Sequence, residues 1–310
     1  MKENIEAKGS PKRLISLGAC TVDVILSVET IPSLDAKVMA QDGVVVGAGM
    51  AVAAAATAAV LGGIVSIWGR IGDDLLGDFF LADLAGVGVE TAFIRRVVGA
   101  KTGLSSVIVD STGKRLIVPY YDPVLGADAS WLPITELEKT DCILSDVRWP
   151  EGSFRLMTEA SKRGLIRIFD GDVAQPEVLK ALAPLSTHAI FSEPGFSLFS
   201  GRTDLRAALL DCASRFDGCM GVTVGEEGFI WVEDGHVKQV LPPKIIPIDT
   251  LAAGDVFHGA FGLAVAEGMQ IRSAAEFACA AAAIKCTRFG GRAGIPERKE
   301  VQQLVEKTYR

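Results

Sequence analysis

The segment from Asp249 to Phe261, with the sequence DTLAAGDVFHGAF, has residue types and a spacing that could carry out chemistry. The small residues at 252 to 254 allow a tight turn whose backbone N–H groups point one way, into the start of a helix. Free N–H groups and the positive end of a helix dipole together bind anions. Asp255 would lie beside that anion in the first helical turn. This arrangement suits phosphoryl transfer to a hydroxyl. An ordinary helix start is the alternative, because Asp is favoured there as well.

The same segment resembles the C-terminal signature of the ribokinase family of sugar kinases, the phosphofructokinase-B type, which reads D-T-x-G-A-G-D. Ala252 stands where that family most often has glycine. The resemblance implies that Asp255 is the catalytic base and that ATP and Mg²⁺ take part. It also implies an anion hole formed by the backbone amides of Ala252, Ala253, Gly254 and Asp255.

The overall composition is that of a globular protein, with 49% hydrophobic and 22% charged residues among 310. This length allows one large α/β domain or two smaller ones. The formal net charge of −7 argues against a general nucleic-acid-binding protein. The six cysteines show no C-x-x-C pair and the chain has three histidines, which argues against zinc and favours reduced thiols in the cytoplasm.

An apolar run of about 25 residues, from Val44 to Trp68, is long enough to cross a membrane. It consists mostly of alanine and glycine and is interrupted at Gly62 and Gly63. We therefore predict a strand, a glycine turn, a buried helix and a second strand, with no membrane partner. Residues 1–12 lack the apolar centre of a signal peptide and are predicted to be a disordered lead-in.

From Asp141 onward, short apolar runs alternate with helical segments, which predicts a mostly parallel sheet covered on both faces. We expect one three-layer α/β/α domain of the ribokinase type, spanning residues 13–310. A small β lid, from about 22–46 and 92–121, would close over the sugar and exclude water. Exposed lid strands often pair between subunits, so a homodimer is a further expectation.

Two groups are candidates for binding the sugar. Asp23 follows the first apolar strand, where α/β folds place ligands, although a turn cap is the alternative. The turn Gly47-Ala48-Gly49 lacks the third small residue and the acidic residue of a dinucleotide-binding fingerprint. The family resemblance implies instead that Asp23 binds sugar hydroxyls and that the turn lets the backbone approach the sugar. Ala53 stands where the family usually has an asparagine.

Further candidates for the nucleotide and metal sites come from the resemblance. It implies nucleotide contacts at Thr223, Gly225, Gly228, Ser192, Lys285 and Gly290. The family motif N-x-x-E, which orders the Mg²⁺-bound phosphates, is replaced here by Ser192 to Gly195, so its acid is absent. Glu193, Asp170 or Asp172 could serve in its place, because Mg²⁺ is held mainly by water and phosphate oxygens. A monovalent cation such as K⁺ is expected near Asp249 and Thr250.

Arg148 follows a predicted strand, and its planar guanidinium suits an anionic oxygen group. The surrounding motifs resemble the branch of the family that phosphorylates 6-deoxy-6-sulfofructose at its 1-hydroxyl. That resemblance implies that Lys37 and Arg148 bind the sulfonate. Pro119 stands where the branch has an asparagine, and a surface salt bridge is the alternative role for Arg148.

The sequence thus favours an ATP-dependent kinase of an anionic ketose. A kinase of a neutral or phosphorylated sugar is the alternative, with fructose, ribose, fructose phosphate and 2-keto-3-deoxygluconate as candidates. A nucleoside kinase, a sugar sensor without turnover and a nicotinamide-dependent oxidoreductase are three other hypotheses.

Overall fold

The apolar runs of the sequence form the strands of one large sheet in the computed structural model, which describes residues 10–33, 35 and 37–310. Most of the predicted lead-in, residues 1–9, lies outside the described residues. The described strands are β1 Arg13–Leu17, β2 Thr21–Val28, β3 Asp42–Ala48, β4 Ile64–Gly72, β5 Val89–Glu90, β6 Ile94–Val97, β7 Gly103–Asp110, β8 Arg115–Tyr120, β9 Cys142–Ser145, β10 Ile166–Gly171, β11 His188–Ser192, β12 Cys219–Thr223, β13 Phe229–Glu233 and β14 His236–Val240.

Nine α-helices connect these strands within the described ranges. They are α1 Met50–Val60, α2 Leu75–Gly86, α3 Pro150–Lys162, α4 Pro176–Leu182, α5 Glu193–Ser200, α6 Leu205–Ala213, α7 Ala253–Ala266, α8 Ile271–Cys286 and α9 Arg298–Tyr309. Short 3₁₀ turns lie at Pro123–Leu125, Ile134–Lys139, Ala183–Leu185, Gly225–Glu227 and Gly291–Gly294.

The large sheet has the strand order β14-β13-β12-β11-β10-β9-β1-β4-β5, and β6 pairs with β4. All its pairs are parallel except β12–β13 and β13–β14, which are antiparallel. Side chains alternate between two apolar cores, one on each face. Helices α1, α2, α7, α8 and α9 cover one face, and α3 to α6 cover the other. This arrangement confirms the predicted three-layer fold.

The apolar run from Val44 to Trp68 forms β3, α1 and β4, as predicted. Most of helix α1 is buried, because its alanines let α7 and the sheet pack closely against it. Gly259 of α7 shows how close this packing is, since a Cβ there would lie 2.3 Å from the carbonyl oxygen of Ala54. Within the described ranges, the chain has no helix of the length and apolarity needed to span a membrane.

A second sheet of four strands, in the order β3-β2-β7-β8, stands apart from the large one. It is formed by strands from the two predicted lid segments, but the second segment contributes to it only from residue 103 onward. Residues 94–97 form β6, which pairs with the end of β4 and so belongs to the large sheet. The small sheet has its own apolar core of Ile25, Val46, Ala48, Val107 and Val109. Its edge strand β8 is exposed along its whole length.

Candidate active site

The site begins at the turn into helix α7. Ala252 has the left-handed backbone conformation, with φ of 61°, and is followed at once by the first helical residues. The N–H groups of Gly254 and Asp255 donate to no acceptor in the described part of the chain. A Cβ built on Gly254 meets no atom within 4 Å. Free amides, the helix dipole and open space above Gly254 are features that an anion site requires, but the Ala253 N–H, part of the predicted anion hole, already donates to the Thr250 carbonyl oxygen at 3.3 Å.

Asp255 lies in the first turn of α7 and has the protonation behaviour expected of a base. Burial raises its pKa to about 7, and the carboxylate of Asp170 contributes in the same direction. Nearby His258 opposes this shift. A carboxyl group with a pKa close to neutral can accept a proton and release it again during turnover.

A buried polar group lies behind Asp255. The His258 Nδ1 atom is 2.8 Å from the Gly254 carbonyl oxygen and 3.4 Å from Asp170 Oδ2. Its Nε2 atom is 3.3 Å from the carbonyl oxygen of Ile190. Burial raises the pKa of Asp170 well above its ordinary value and lowers that of His258. His258 therefore connects the first turn of α7 with the end of β10. Because the charge of Asp170 raises the pKa of Asp255, the protonation of these two carboxyl groups is linked.

Tyr121 is affected by charged groups from both the predicted sugar site and the predicted turn into α7. Burial raises the pKa of Tyr121, although its side chain is still 47% exposed. The charged groups that also act on this pKa are those of Arg148, Asp146, Asp23 and Asp255. Tyr121 directly follows β8, the edge strand of the small sheet. Nothing in the sequence marks this tyrosine as part of a site.

The glycine turn before α1 is held on both sides by charged groups. The backbone N–H of Gly47 donates to Asp83 Oδ2 over 2.6 Å, and the Arg292 side chain donates both to the Gly47 carbonyl and to Asp83. Gly49 has φ of 116°, and a Cβ there would lie 2.2 Å from the Ala19 carbonyl oxygen. The turn is therefore fixed in shape, with Ala48 between the two glycines.

Asp146 fixes the start of helix α1 beside this turn. It is 1% exposed, and its carboxylate accepts from the N–H groups of Ala19, Ala51 and Arg148, at 3.2, 3.1 and 2.7 Å. Burial raises its pKa, and these bonds oppose the rise. The carboxylate thus caps α1 and ties it to the ends of β1 and β9.

Asp23 lies on β2, opposite Val46 on β3 and Ser105 on β7. Burial raises the pKa of its carboxyl group, while hydrogen bonds from Ser105 and Thr21 and the charge of Arg292 lower it. A partly buried carboxylate in this position can accept hydrogen bonds from hydroxyl groups.

Arg148 and Lys37, the predicted sulfonate ligands, lie in different surroundings. The Arg148 guanidinium donates to the Val173 carbonyl oxygen at 2.9 Å and to Asp172 Oδ2 at 3.0 Å, so it already has a carboxylate partner. Arginine has five N–H donors, which leaves three for a ligand. Lys37 lies between β2 and β3 and is exposed. Pro119 pairs with Ser105 inside the small sheet.

The predicted metal ligands do not converge. Among the described residues, no three His, Cys, Asp or Glu side chains come close enough to hold a metal. Asp170 is buried against His258, and Asp172 accepts hydrogen bonds from Ser192, at 2.8 Å, and from Arg148. Glu193, at the start of α5, is exposed. This donor set fits an Mg²⁺ ion that keeps most of its ligands as water and phosphate oxygens.

The predicted nucleotide residues at the end of β12 lie together. Thr223 Oγ1 donates to the Phe191 carbonyl oxygen over 3.3 Å. Gly225 has φ of 52° and open space around it, whereas a Cβ on Gly228 would lie 2.0 Å from the Val240 carbonyl oxygen. Gly225 can therefore face a ligand, while Gly228 is needed for the close approach of β14.

Lys285 and Asp249 correct the prediction of a nucleotide contact and a cation site. The Lys285 side chain is 0% exposed, and its ammonium donates to the Asp249 carbonyl oxygen at 2.7 Å. It also lies 3.2 Å from Asp249 Oδ2. Lys285 has no exposed atom with which to reach a nucleotide, and its ammonium already contacts the Asp249 oxygen atoms near which K⁺ was expected. Gly290 donates its N–H to Asp249 Oδ2 at 3.0 Å.

Sequence reasoning missed Tyr121, Asp83, Asp146 and His258 as parts of the site, and it left the role of Arg292 open. His258 lies in the segment with which the sequence analysis begins, and its spacing of three from Asp255 puts both on one side of α7. Asp146 precedes Arg148 by two residues at the end of an apolar run. Those two signals were available in the sequence. Asp83 and Tyr121 gave none.

Comparison with known proteins gives the site a family context. The family profile described as "pfkB family carbohydrate kinase" matches residues 11–298. The ribokinase of Bacillus subtilis (strain 168) is 27% identical over 307 residues, covering 95% of this chain and 99% of the relative. A solved structure from Agrobacterium tumefaciens, provisionally assigned as a ribokinase, is 38% identical with a TM-score of 0.93 and covers 96% and 98% of the two chains. Arabidopsis thaliana ribokinase, solved with ribose and ATP, is 22% identical with a TM-score of 0.80 and covers 96% and 99%, and it shares the fold.

We expect the substitution Gly254→Ala to separate anion binding from stability. Gly254 is helical and its Cβ position is open, so the alanine should be neutral or raise the free energy of unfolding by about 0.5–1 kcal/mol. The same methyl group would stand over the free amides and weaken the binding of a phosphate-bearing ligand by roughly tenfold or more, comparable to the loss of one good hydrogen bond. Thermal melting and calorimetric titration with ATP measure the two effects. The matched control is Gly86→Ala, at another open helical glycine. Unchanged affinity for ATP in the Gly254 variant would contradict the anion-site assignment.

Proposed function

The chain belongs to the pfkB family of carbohydrate kinases, and from that premise we propose that it transfers the γ-phosphoryl group of ATP to a primary hydroxyl of a negatively charged ketose. Membership of this family makes the protein a phosphotransferase with an alcohol group as acceptor. The observation that carries the proposal is that free backbone amides and the carboxyl group of Asp255 occur together in the first turn of α7.

Different residues of this chain would accept the proton, stabilise the transferring phosphoryl group and hold the metal ion. Asp255, with its pKa near neutrality, accepts the proton of the attacking hydroxyl. The amides of Gly254 and Asp255 and the dipole of α7 stabilise charge on the transferring phosphoryl group. Mg²⁺, when bound, would neutralise charge on the phosphates. The exposed Glu193, on α5, is a candidate side chain for holding it.

The sugar side supports a hydroxyl-rich acceptor. Asp23 offers a carboxylate to sugar hydroxyls, and the fixed turn of Gly47 and Gly49 presents backbone groups beside it. The small sheet over this region excludes water, the competing acceptor. We place the nucleotide along the end of β12, near Thr223 and the open face of Gly225.

The negative group on the acceptor is the finer part of the proposal. Arg148 keeps three N–H donors beyond those given to Asp172 and Val173, and the charges of both Arg148 and Asp255 act on the pKa of Tyr121. An anionic ketose such as 6-deoxy-6-sulfofructose, phosphorylated at its 1-hydroxyl, would use these donors and the exposed Lys37. Ribose is the second candidate, because the relatives compared above carry the name ribokinase and one of them was solved with ribose and ATP.

The free cysteines and the edge strand β8 support proposals for the cell compartment and for the assembly of the protein. All six cysteines are free thiols, which supports a reducing, cytoplasmic location. The exposed apolar side chains of β8, an unpaired edge strand, support a homodimer that pairs through the small sheet. We propose no nucleic-acid partner for a chain of net charge −7.

Asp255→Asn should remove turnover while ATP binding persists. We expect kcat to fall by roughly 10²–10⁴-fold, the range for loss of a positioned base. In the unaltered enzyme, protonation of Asp255 as pH falls through about 7 should lower kcat/KM, because this pKa is raised and only the deprotonated form is a base. ADP release measured against pH tests both statements. Asp217→Asn, at an exposed position, is the control. An Asn variant that keeps near-parental turnover would refute the mechanism.

Arg148→Met should discriminate between acceptors. Loss of the guanidinium should reduce kcat/KM for a sulfonated ketose by roughly 1.5–3 kcal/mol in transition-state stabilisation, the worth of a hydrogen bond to a charged group, with little effect on neutral sugars. An ADP-release screen over neutral, phosphorylated and sulfonated ketoses and ribose measures this. Arg163→Met, in an exposed pair with Glu159, is the matched control. Equal losses for neutral and anionic sugars would assign Arg148 a folding role instead.

The double substitution Ile117→Lys with Val118→Lys on β8 should give a monomer, since charged side chains on an edge strand prevent pairing with a second copy. Light scattering after size exclusion measures the mass of each form. Ile246→Lys, which replaces an apolar side chain that is 88% exposed outside the strands, should leave the dimer unchanged. A parent protein that runs as a monomer at micromolar concentration would refute this part of the proposal.

A further inference from the structure

Lys285 is a completely buried charged residue that contacts none of the proposed substrates. It lies in the last turn of α8, with an exposure of 0%, and Asp249 is equally buried. Its ammonium is 2.7 Å from the Asp249 carbonyl oxygen and 3.2 Å from Asp249 Oδ2. A buried charge is costly unless it is paired and hydrogen-bonded. Its position therefore needs an explanation beyond packing.

The partner of this ammonium joins three segments of the chain. Asp249 Oδ1 accepts from the N–H of Leu251 at 2.7 Å. Asp249 Oδ2 accepts from the N–H groups of Gly290 and Gly291, at 3.0 and 2.9 Å. The N–H of Asp249 donates to the Cys286 carbonyl oxygen at 3.1 Å. The loop before α7, the end of α8 and the glycine turn after it therefore converge at one carboxylate.

This convergence lies directly next to the anion site. Leu251, whose N–H is held by Asp249, immediately precedes the left-handed residue Ala252 and the free amides that follow it. The ammonium of Lys285 attracts both the carbonyl oxygen and the carboxylate of Asp249, and so holds these two groups close to each other. Without a cation there, two oxygen atoms of like partial charge would face each other in a buried space.

Carbonyl and carboxylate oxygens in a buried loop are also the ligands that bind K⁺, because they replace the hydration shell of the ion. An ammonium group carries the same single charge and binds the same oxygens. The sequence led us to expect a K⁺ ion near Asp249 and Thr250, yet the oxygens of Asp249 already bind Lys285. The two cations compete for one position.

We propose that Lys285 is a tethered monovalent cation that takes the place of K⁺ in organising the turn before α7, so that turnover needs no K⁺. This inference rests on the proposed kinase function and specifies how its anion site is held. A covalently attached ammonium cannot dissociate, so the turn keeps its shape at any concentration of monovalent salt.

The first test uses the unaltered protein in buffers free of K⁺ and NH₄⁺. The proposal predicts that replacing tetramethylammonium chloride by an equal concentration of KCl changes neither kcat/KM nor the melting temperature. An increase of several-fold in turnover, or a melting temperature that rises specifically with K⁺, would overturn it.

The second test removes the charge and restores it from solution. Lys285→Ala leaves a space beside the oxygens of Asp249, and we expect it to lower kcat/KM by roughly 10–100-fold, as when a group that orients reacting groups is lost. KCl, NH₄Cl or methylammonium chloride should recover at least part of the turnover and raise the melting temperature of this variant. Lys307→Ala, at an exposed position of α9, should show neither effect.

The outcomes separate this inference from the function on which it rests. A Lys285→Ala protein that turns over normally, or one that melts lower and is not restored by any of the three cations, would overturn the tethered-cation role. The melting measurements do not depend on turnover. If no sugar were phosphorylated while the melting temperature of the variant alone still rose with K⁺, the kinase proposal would fail and the assignment of Lys285 would stand.

Discussion

The left-handed backbone at Ala252 is the constraint on which the site depends. The chain turns at this residue into α7, whose early amides, those of Gly254 and Asp255, have no acceptor among the described residues. For a residue with a Cβ atom, the conformation costs about 1–2 kcal/mol, and it persists only where the surroundings enforce it. Here the Asp249 carboxylate holds the N–H of Leu251, and α7 fixes the chain on the other side. The strained turn is thus supported by a buried carboxylate, and it directs the chain into the helix start that carries the unpaired amides.

Electrostatics give the second constraint, because several carboxylates share a small volume behind these amides. Asp170 raises the cost of ionising Asp255, and His258 Nδ1 lies 3.4 Å from Asp170 Oδ2. Asp146 is kept in place by three backbone donors, and Asp172 by Arg148. An unpaired acidic cluster would hold protons too tightly to act as a base near neutrality. The cations and amides around the cluster leave Asp255 as a group that can change its protonation during turnover.

The sequence predicted those parts of the molecule whose structure is determined locally. The alternating strands and helices after Asp141 were predicted because short apolar runs with polar ends have few other uses. The same holds for the turn before α7, whose small residues and carboxylate are contiguous. The contact of Arg292 with the Gly47 carbonyl spans 245 residues, and no local pattern predicts it. Lys285, which the resemblance assigned to the nucleotide, is instead buried against Asp249, and no local pattern predicts that contact either.

The small sheet and the anion site are physically connected, which bears on how closure and chemistry are coordinated. Leu251 and Phe289 pack against the apolar core of the small sheet. Arg115, at the start of β8, donates to Thr250 Oγ1 over 2.6 Å. The loop that sets the conformation of Ala252 is therefore also part of the packing surface of the small sheet. Movement of that sheet would change the support of the turn, and a ligand bound at the turn would favour the position of the sheet that supports it. Under the proposed function, closure over the acceptor would therefore be coupled to completion of the anion site.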